Sequence, residues 1–216
     1  MRLLLKLLFT ILLMVICISL FAWFFWYKPK LNHGKPIAFT KPMVDAAFAS
    51  VIRDKAEEAK KFIQQKNFNH TLCFLVDMKI ESGKNRFFVY DFKRDSIISA
   101  GLVTHGSCNE SWLNGRKFGN ATGCGCTSLG KYKVGSSYNG RFGLAFKLYG
   151  LDSSNSNAYN RFVVLHSHSC VPEGEVSPAP ICQSLGCPTV SPNYLKHLQK
   201  LIDNSNQPIL LWIFNE

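Results

Sequence analysis

The chain has 216 residues, enough for one domain with an appendage, and its 17 phenylalanines supply a sizeable core. The formal net charge is +11, of which Arg2, Lys6, Lys28 and Lys30 contribute +4 and the remaining chain +7. The positive residues are scattered and no nucleic-acid motif accompanies them, so nucleic acid is not the expected partner, and an anionic wall or membrane surface suits the charge better.

Leu7 to Tyr27 is 21 residues long and free of charge. That is close to the ~20 a helix needs to span a bilayer. Arg2 and Lys6 precede it, and Trp23, Trp26 and Tyr27 stand at its far end as interfacial aromatics do. A cleaved leader has a shorter apolar region and a small-residue site, and no such site follows Phe25. Cys17 invites a lipoprotein reading, but Ile16 before it is too bulky. Residues 1–30 are therefore expected to be an uncleaved anchor that enters the membrane through residues 7–27.

Residues 31–70 form the next unit. Lys28 to Pro42 holds three prolines and reads as a linker. Thr40 is a candidate cap for a helix starting near Pro42. Val44, Phe48, Val51, Ile52, Ala59, Phe62 and Ile63 recur at helical spacing, and the helix should end near Asn67. It is expected to pack against the domain that follows and carries no chemistry.

Residues 71–216 are strand-rich. Leu72 to Ile80 and Asn85 to Phe92 are extended runs joined by the turn signal Glu81-Ser82-Gly83-Lys84. Leu72, Phe74, Val76 and Met78 alternate toward the core, with Cys73 out of phase. A third run, Ser96 to Thr104, ends at His105-Gly106. His105 is a candidate for lining a cleft, beside a structural role in holding a loop. Ser107 to Gly130 is loop, rich in Gly, Ser, Asn and Cys. Within it, the one-residue spacing of Cys124 and Cys126 is too short for common zinc or C-x-x-C motifs. Zinc shared among Cys108, Cys124, Cys126 and His168 is weaker than disulfides to more distant partners, and no metal or cofactor is expected. Lys131 to Val134, Gly143 to Tyr149 and Arg161 to Leu165 supply further strands, with Phe142, Leu144, Phe146 and Leu148 on one face. Arg161 reads as a structural ion pair or a strand-end surface residue, with substrate contact as the alternative. Asn193 to Ile202 has an apolar stripe, with Ser191 as its cap and Pro192 in the first turn. Ile209 to Phe214 is almost wholly apolar and reads as an interior strand.

The chemistry gathers between Arg161 and Val190. An apolar run delivers His166 and His168, and the following loop closes on Ser184-Leu185-Gly186-Cys187-Pro188. A thiolate needs a neighbouring imidazole. A glycine before the cysteine lets the backbone turn and aim N–H groups from Leu185 to Cys187 at an oxyanion. Ser184 is expected to support this loop through hydrogen bonds, and Ser167 is a weaker candidate for that task. Residues 166 and 168 share a strand face, so spacing does not separate the two possible bases. Seven cysteines lie outside the apolar segment, an odd number that fits pairs plus one free nucleophile in an oxidising compartment. If Cys73 is a buried thiol, another must also be unpaired. Cys170 and Cys182 bracket the loop, and joining them would remove denatured-state entropy worth ~3 kcal/mol.

The ordered set His105-Gly106, Phe118-Gly119-Asn120, Ser128-Leu129-Gly130, Gly143-Leu144, Gly150-Leu151, Asn157-Ala158, Arg161, His166 and Ser184-Leu185-Gly186-Cys187-Pro188 resembles the L,D-transpeptidase catalytic domains of bacterial cell walls. The likeness runs from about Phe87 to Phe214 and is greatest for the murein L,D-transpeptidase catalytic-domain-like branch. It implies a mainly β fold with a few helices, a β-sandwich or mixed β domain. It implies Cys187 as nucleophile and His166 as base, acting on peptidoglycan stem peptides at the carbonyl of diaminopimelate before D-Ala. An amine acceptor makes a cross-link; water makes the site a carboxypeptidase. His105, Asn120, Arg161, Gln183 and Ser167 are its candidate substrate contacts. The implied location is the bacterial inner membrane, with the domain in the periplasm or cell-wall space. Two positions depart from the pattern. Ser167 stands where Gly is usual, and Gln183 stands where that branch tends to carry Arg, a residue able to hold a carboxylate bidentately. These departures motivate a second reading, a tethered wall-binding module. A thiol-disulfide protein built on Cys124 and Cys126 is a third.

Overall fold

A computed structural model describes residues 2–23 and 46–216. They belong to two compact units, each described by itself. The first contains helix α1 (Arg2–Ala22), within which Leu4–Ala22 is long and apolar enough to cross a membrane. The helix begins before the charge-free run and includes Lys6. Trp26, Tyr27, the linker, the Thr40 cap and the expected helix start near Pro42 lie outside the described residues.

The second unit opens with helix α2 (Ala46–Ile63). Ile52, Ala56, Ala59 and Ile63 form its buried stripe at helical spacing. It ends four residues before the expected Asn67, because Lys66 N–H bonds back to the Ile63 carbonyl and closes a tight final turn. The Asn69 side chain then accepts from the backbone of Thr71 and Leu72 and turns the chain into the sheet.

Eight strands follow, and they make one mixed sheet. They are β1 (Leu72–Asp77), β2 (Phe87–Asp91), β3 (Ser96–Gly101), β4 (Gly130–Gly140), β5 (Gly143–Gly150), β6 (Val164–Ser167), β7 (Thr189–Val190) and β8 (Leu210–Phe214), with helix α3 (Pro192–Asp203) before the last. Their order is β3-β2-β1-β8-β4-β5-β6-β7. β1 pairs parallel with β8, β6 parallel with β7, and the other neighbours are antiparallel. Of the two forms the resemblance allowed, mixed β is the one realised.

Both faces of the sheet are covered, which explains the composition of its centre. Phe74 and Val76 of β1 with Leu211 and Ile213 of β8 face one core, where Tyr194, Leu195 and Leu198 of α3 pack. Cys73 and Leu75 with Leu210, Trp212 and Phe214 face the other, under α2. The out-of-phase Cys73 is thus a fully buried thiol, not a surface residue. Side chains that alternate toward two covered faces read as an unbroken apolar run.

Two strands differ from their expected bounds near the site. β4 continues six residues past Val134, because its outer half pairs with β5 in an exposed hairpin whose polar residues gave no apolar pattern. Arg161 to Val163 lie before β6, not in it. The Phe162 N–H bonds to the Tyr159 carbonyl, and Phe162 takes φ +55°, so the chain turns there before extending. α3 begins as expected. Ser191 accepts from the Tyr194 N–H and donates to Glu173, whose carboxylate also accepts from Asn193 N–H at the positive end of the helix.

Candidate active site

The tip of the β4–β5 hairpin, β6, β7, the loop before β7 and residues of the 104–112 segment enclose a cavity of about 590 Å³. Cys187, His166, His168, Arg161, Ser184 and Leu185 all line it, as do Gln183, Phe142, Trp112 and Thr189. The register that achieves this is simple: His166 of β6 pairs with Ala145 on one side and Thr189 on the other.

The Ser184–Cys187 loop, which carries the candidate nucleophile, is held from several sides. Ser184 N–H donates to the His105 carbonyl at 2.9 Å, and Ser107 N–H donates to the Ser184 carbonyl at 2.8 Å. The Ser184 hydroxyl donates to the Cys187 carbonyl at 2.8 Å and accepts from the Gly186 N–H at 3.1 Å. Gly186 has φ +105°, and a Cβ there would stand 2.6 Å from the Cys126 carbonyl oxygen. Only glycine meets both demands. Because the Gly186 N–H is spent on Ser184, the N–H groups of Leu185 and Cys187 are the ones left for an oxyanion.

The two histidines, alike in spacing, differ in hydrogen bonding. His166 Nδ1 lies 3.1 Å from the Ser167 carbonyl, which can only accept, so Nδ1 carries the proton and Nε2 the lone pair. The Thr189 hydroxyl sits 3.0 Å from that Nε2. His168 Nδ1 accepts from the Cys170 N–H at 3.1 Å, which leaves its proton on Nε2. Neutral His166 therefore offers a basic nitrogen and neutral His168 offers a donor. Burial lowers the pKa of His166, with the Ser167 carbonyl opposing and His168 reinforcing. The ring of Phe142, at the tip of the β4–β5 hairpin, stacks on His166 at 5.2 Å and meets His168 edge-on at 5.6 Å.

Cys187 Sγ lies 3.7 Å from the Phe162 carbonyl. Burial pushes its thiol above the ordinary value, while the Val164 N–H and the Arg161 charge pull it down. The net shift is upward because desolvation outweighs both stabilising groups.

Arg161 is half-buried, and none of the ion pairs among the described residues involves it. Its guanidinium turns inward, donating to the carbonyls of Gly119 at 2.9 Å and Cys126 at 2.6 Å and to the Ser128 hydroxyl. It ties the cysteine-rich loop to the back of Gly186. Gln183 clamps Leu113 by both ends of its amide, accepting from the N–H at 2.9 Å and donating to the carbonyl at 2.8 Å. Ser167 contributes its carbonyl rather than its hydroxyl. Asn120 is not in the cavity: it bonds Ser153, Ser156 and Asn157 and fastens two loops together. The His105 ring also lies elsewhere, lining a neighbouring cavity.

Two disulfides join Cys170 to Cys182, as expected from their placement, and Cys108 to Cys126. Cys73, Cys124 and Cys187 remain free in this unit, so the buried Cys73 is indeed matched by a second unpaired thiol. No group of His, Cys, Asp or Glu among the described residues is arranged to hold a metal ion. The zinc grouping is not formed, since two of its cysteines are joined to each other. Thr189, Phe142 and Trp112 are site residues that sequence reasoning missed. Only Thr189, two places after the nucleophile, had a positional signal.

Solved structures similar to the chain include an L,D-transpeptidase from Xylanimonas cellulosilytica, 13% identical, covering 66% of this chain and 60% of that one, with TM-score 0.36. The helical cell shape determining protein Pgp2 from Campylobacter jejuni is also similar, at 13% identity, 76% and 56% coverage and TM-score 0.36. A point mutant of Pgp2 gives 14% identity, the same coverage and TM-score 0.38. The chain thus spans somewhat over half the length of these structures. No curated protein matches it. The family profile described as L,D-transpeptidase catalytic domain matches residues 45–212, most of the chain, and the chain therefore belongs to the L,D-transpeptidase catalytic domain family.

Proposed function

We propose that the chain is a cysteine-dependent L,D-transpeptidase acting on peptidoglycan stem peptides. The observation that carries this reading is that His166 and Cys187 line one cavity, with His166 Nδ1 turned to the Ser167 carbonyl, an arrangement that leaves Nε2 as the basic nitrogen. His166 takes the thiol proton, and Cys187 attacks the carbonyl that follows the L-centre of diaminopimelate. Leu185 and Cys187 N–H groups hold the oxyanion. Collapse forms the thioester and expels D-Ala, whose amine leaves with the proton from His166. An amine of a second stem peptide then takes the acyl group and regenerates the thiol.

The same reading includes residues 1–30 as a bacterial inner-membrane anchor, residues 31–70 as linker and helix, and residues 71–216 as the catalytic domain on the periplasmic side. Support comes from α1, long and apolar enough to span, and from two disulfides, which suit an oxidising compartment.

A second reading, a wall-binding module without turnover, draws on the Thr189 hydroxyl at Nε2 and on a half-buried thiol whose pKa desolvation raises. Muropeptides ending in diaminopimelate and D-Ala, incubated with the full-length protein in detergent, separate the readings by mass spectrometry. Cross-linked product is the outcome expected of the transpeptidase. D-Ala release with water incorporation would make it a carboxypeptidase, and binding without either product would favour the module.

A further inference from the structure

Helix α2 covers its face of the sheet as far as Lys131, whose Nζ lies 5.2 Å from the Phe62 ring and 4.2 Å from the Trp212 ring. Beyond Lys131 the same face of β4 and β5 turns to solvent: Lys133 and Tyr138 are exposed, and Lys147 and Tyr149 are half-buried. Alternation along β5 puts Ala145, Lys147 and Tyr149 on this face. The register sets Lys133 opposite Tyr149 and Tyr138 opposite Ala145. On the other side of β5, Ala145 pairs with His166 and Lys147 with Val164. The Val164 N–H reaches the Cys187 thiol. One open face therefore runs from the candidate base and nucleophile out to the hairpin.

Aromatic rings are assembled on it. A Cβ on Gly135 would stand 2.4 Å from Cε2 of Tyr149, so the missing side chain makes room for that ring. Tyr159 stacks on Tyr149 at 5.2 Å with the planes 12° apart, and it is 54% exposed. Its carbonyl accepts from the Phe162 N–H at 3.0 Å, and the Phe162 carbonyl lies 3.7 Å from Cys187 Sγ. The stacked pair is thus joined to the nucleophile through two successive backbone contacts. Cations frame the rings. Lys133 Nζ lies 4.8 Å from the centre of Tyr149, and Lys147 Nζ 5.9 Å from that of Tyr138. None of the ion pairs among the described residues involves either lysine.

An exposed aromatic patch with a polar rim marks a binding surface. Tyrosine, apolar on its face and polar at its tip, suits a partner with an apolar face and a hydroxylated edge, as a pyranose ring has. Lysines without acidic partners suit carboxylates. A peptide-bearing glycan offers both. We propose that this face binds the glycan of the wall strand whose stem peptide reaches Cys187, with Tyr159 as the saccharide platform and Lys147 facing the carboxylates of the stem. The proposal rests on the peptidoglycan reading and adds the saccharide to it. The spacing agrees. Tyr149 stands two residues along β5 from Lys147 and one strand across from β6, which puts it roughly 8 Å from Val164. Three extended residues ending at diaminopimelate span roughly 10 Å. A sugar at the far end of that stem meets the tyrosine pair while the scissile carbonyl stays at Cys187.

The test uses full-length protein carrying Cys187→Ala, in detergent. It is titrated calorimetrically with the tetrapeptide ending in diaminopimelate and D-Ala, and with the same tetrapeptide carrying its disaccharide. The disaccharide form should bind about tenfold tighter, the upper range of one aromatic contact. Tyr159→Ala should abolish that advantage and leave the affinity of the bare tetrapeptide unchanged, whereas Tyr159→Trp, which keeps a ring, should retain it. Lys147→Gln should weaken both ligands alike. Equal affinity for the two ligands overturns the proposal, as does an advantage that survives both Tyr159→Ala and Tyr149→Ala. A bare tetrapeptide weakened by Tyr159→Ala as much as the disaccharide form would make the face a peptide subsite and overturns the saccharide assignment. Affinities unmoved by Lys147→Gln overturn the role given to that lysine. A saccharide advantage lost in Tyr159→Ala, with no acyl adduct on wild-type Cys187, leaves this face standing and sinks acyl transfer. An adduct without the advantage does the reverse.

Discussion

The Thr189 hydroxyl lies 3.0 Å from Nε2 of His166, the nitrogen on which the proposed general-base chemistry depends. The Cys187 carbonyl competes weakly for the same hydroxyl at 3.2 Å, but it already receives Ser184 at 2.8 Å and Thr104 at 3.2 Å. The Thr189 proton is thus best used on the imidazole. In the resting site the candidate base is capped, and the proposed proton transfer from Cys187 requires Thr189 to yield or to relay.

Thr189→Val keeps the shape and removes the donor. A buried lone pair left unpaired costs about 1–3 kcal/mol, so the thermal midpoint should fall by several degrees. The hydroxyl favours the neutral imidazole, so its loss should also raise the His166 pKa and move the acid limb of activity to higher pH. Thermal unfolding and the pH dependence of kcat/KM check the two effects. An unmoved acid limb would show that the hydroxyl does not serve Nε2.

The protonation states of the pair give a second prediction. Burial lowers the pKa of His166 and raises that of Cys187. Imidazole and thiol are then both neutral near pH 7, unlike a thiolate–imidazolium pair. Alkylation of Cys187 by iodoacetamide should accordingly be slow at pH 7 and climb as pH passes above the ordinary thiol value of ~8.5. Acid below ~6.5 should charge His166 progressively and abolish its use as a base. Rapid alkylation that is flat between pH 6 and 8 would contradict the neutral pair.

The Cys170–Cys182 disulfide closes the loop between the candidate base and nucleophile, and Cys182 lies in the walls of both cavities. Replacing both cysteines by serine should cost ~3 kcal/mol in the chain-entropy account and weaken peptide binding through disorder of Gln183. Denaturant unfolding and peptide titration measure these losses. Peptide mapping of protein taken directly from the envelope should find the two residues linked, and free thiols at both would refute the bond.

Much of this architecture is legible in the chain because its signals are periodic or contiguous. The β8 run is all apolar because both its faces are covered, and Ser184-Leu185-Gly186-Cys187 is local enough to read directly. What stayed hidden depends on partners distant in sequence. His166 and His168 share a strand face and are separated only by the backbone groups they meet, the Ser167 carbonyl and the Cys170 N–H. Arg161 read as a structural ion pair or a strand-end surface residue because its three acceptors, Gly119, Cys126 and Ser128, sit in a loop without periodicity. His105 was a candidate for the cleft. Its backbone does support the nucleophile loop, through the Ser184 N–H, but its side chain belongs to the adjoining cavity. Phe142 and Trp112 carry no motif and reach the site only because a hairpin tip and a loop fold over it.

The central claim is that Cys187 carries the acyl group, and one measurement tests it most directly. Full-length protein in detergent is mixed with muropeptide ending in diaminopimelate and D-Ala, quenched in acid within seconds, and analysed by intact and peptide mass spectrometry. The account predicts an acyl adduct on Cys187, D-Ala released in equal amount, and neither in Cys187→Ala. In His166→Ala the adduct should form about 10²–10⁴-fold more slowly, the usual contribution of a general base. Turnover that survives Cys187→Ala, or an adduct on any other residue, would contradict it.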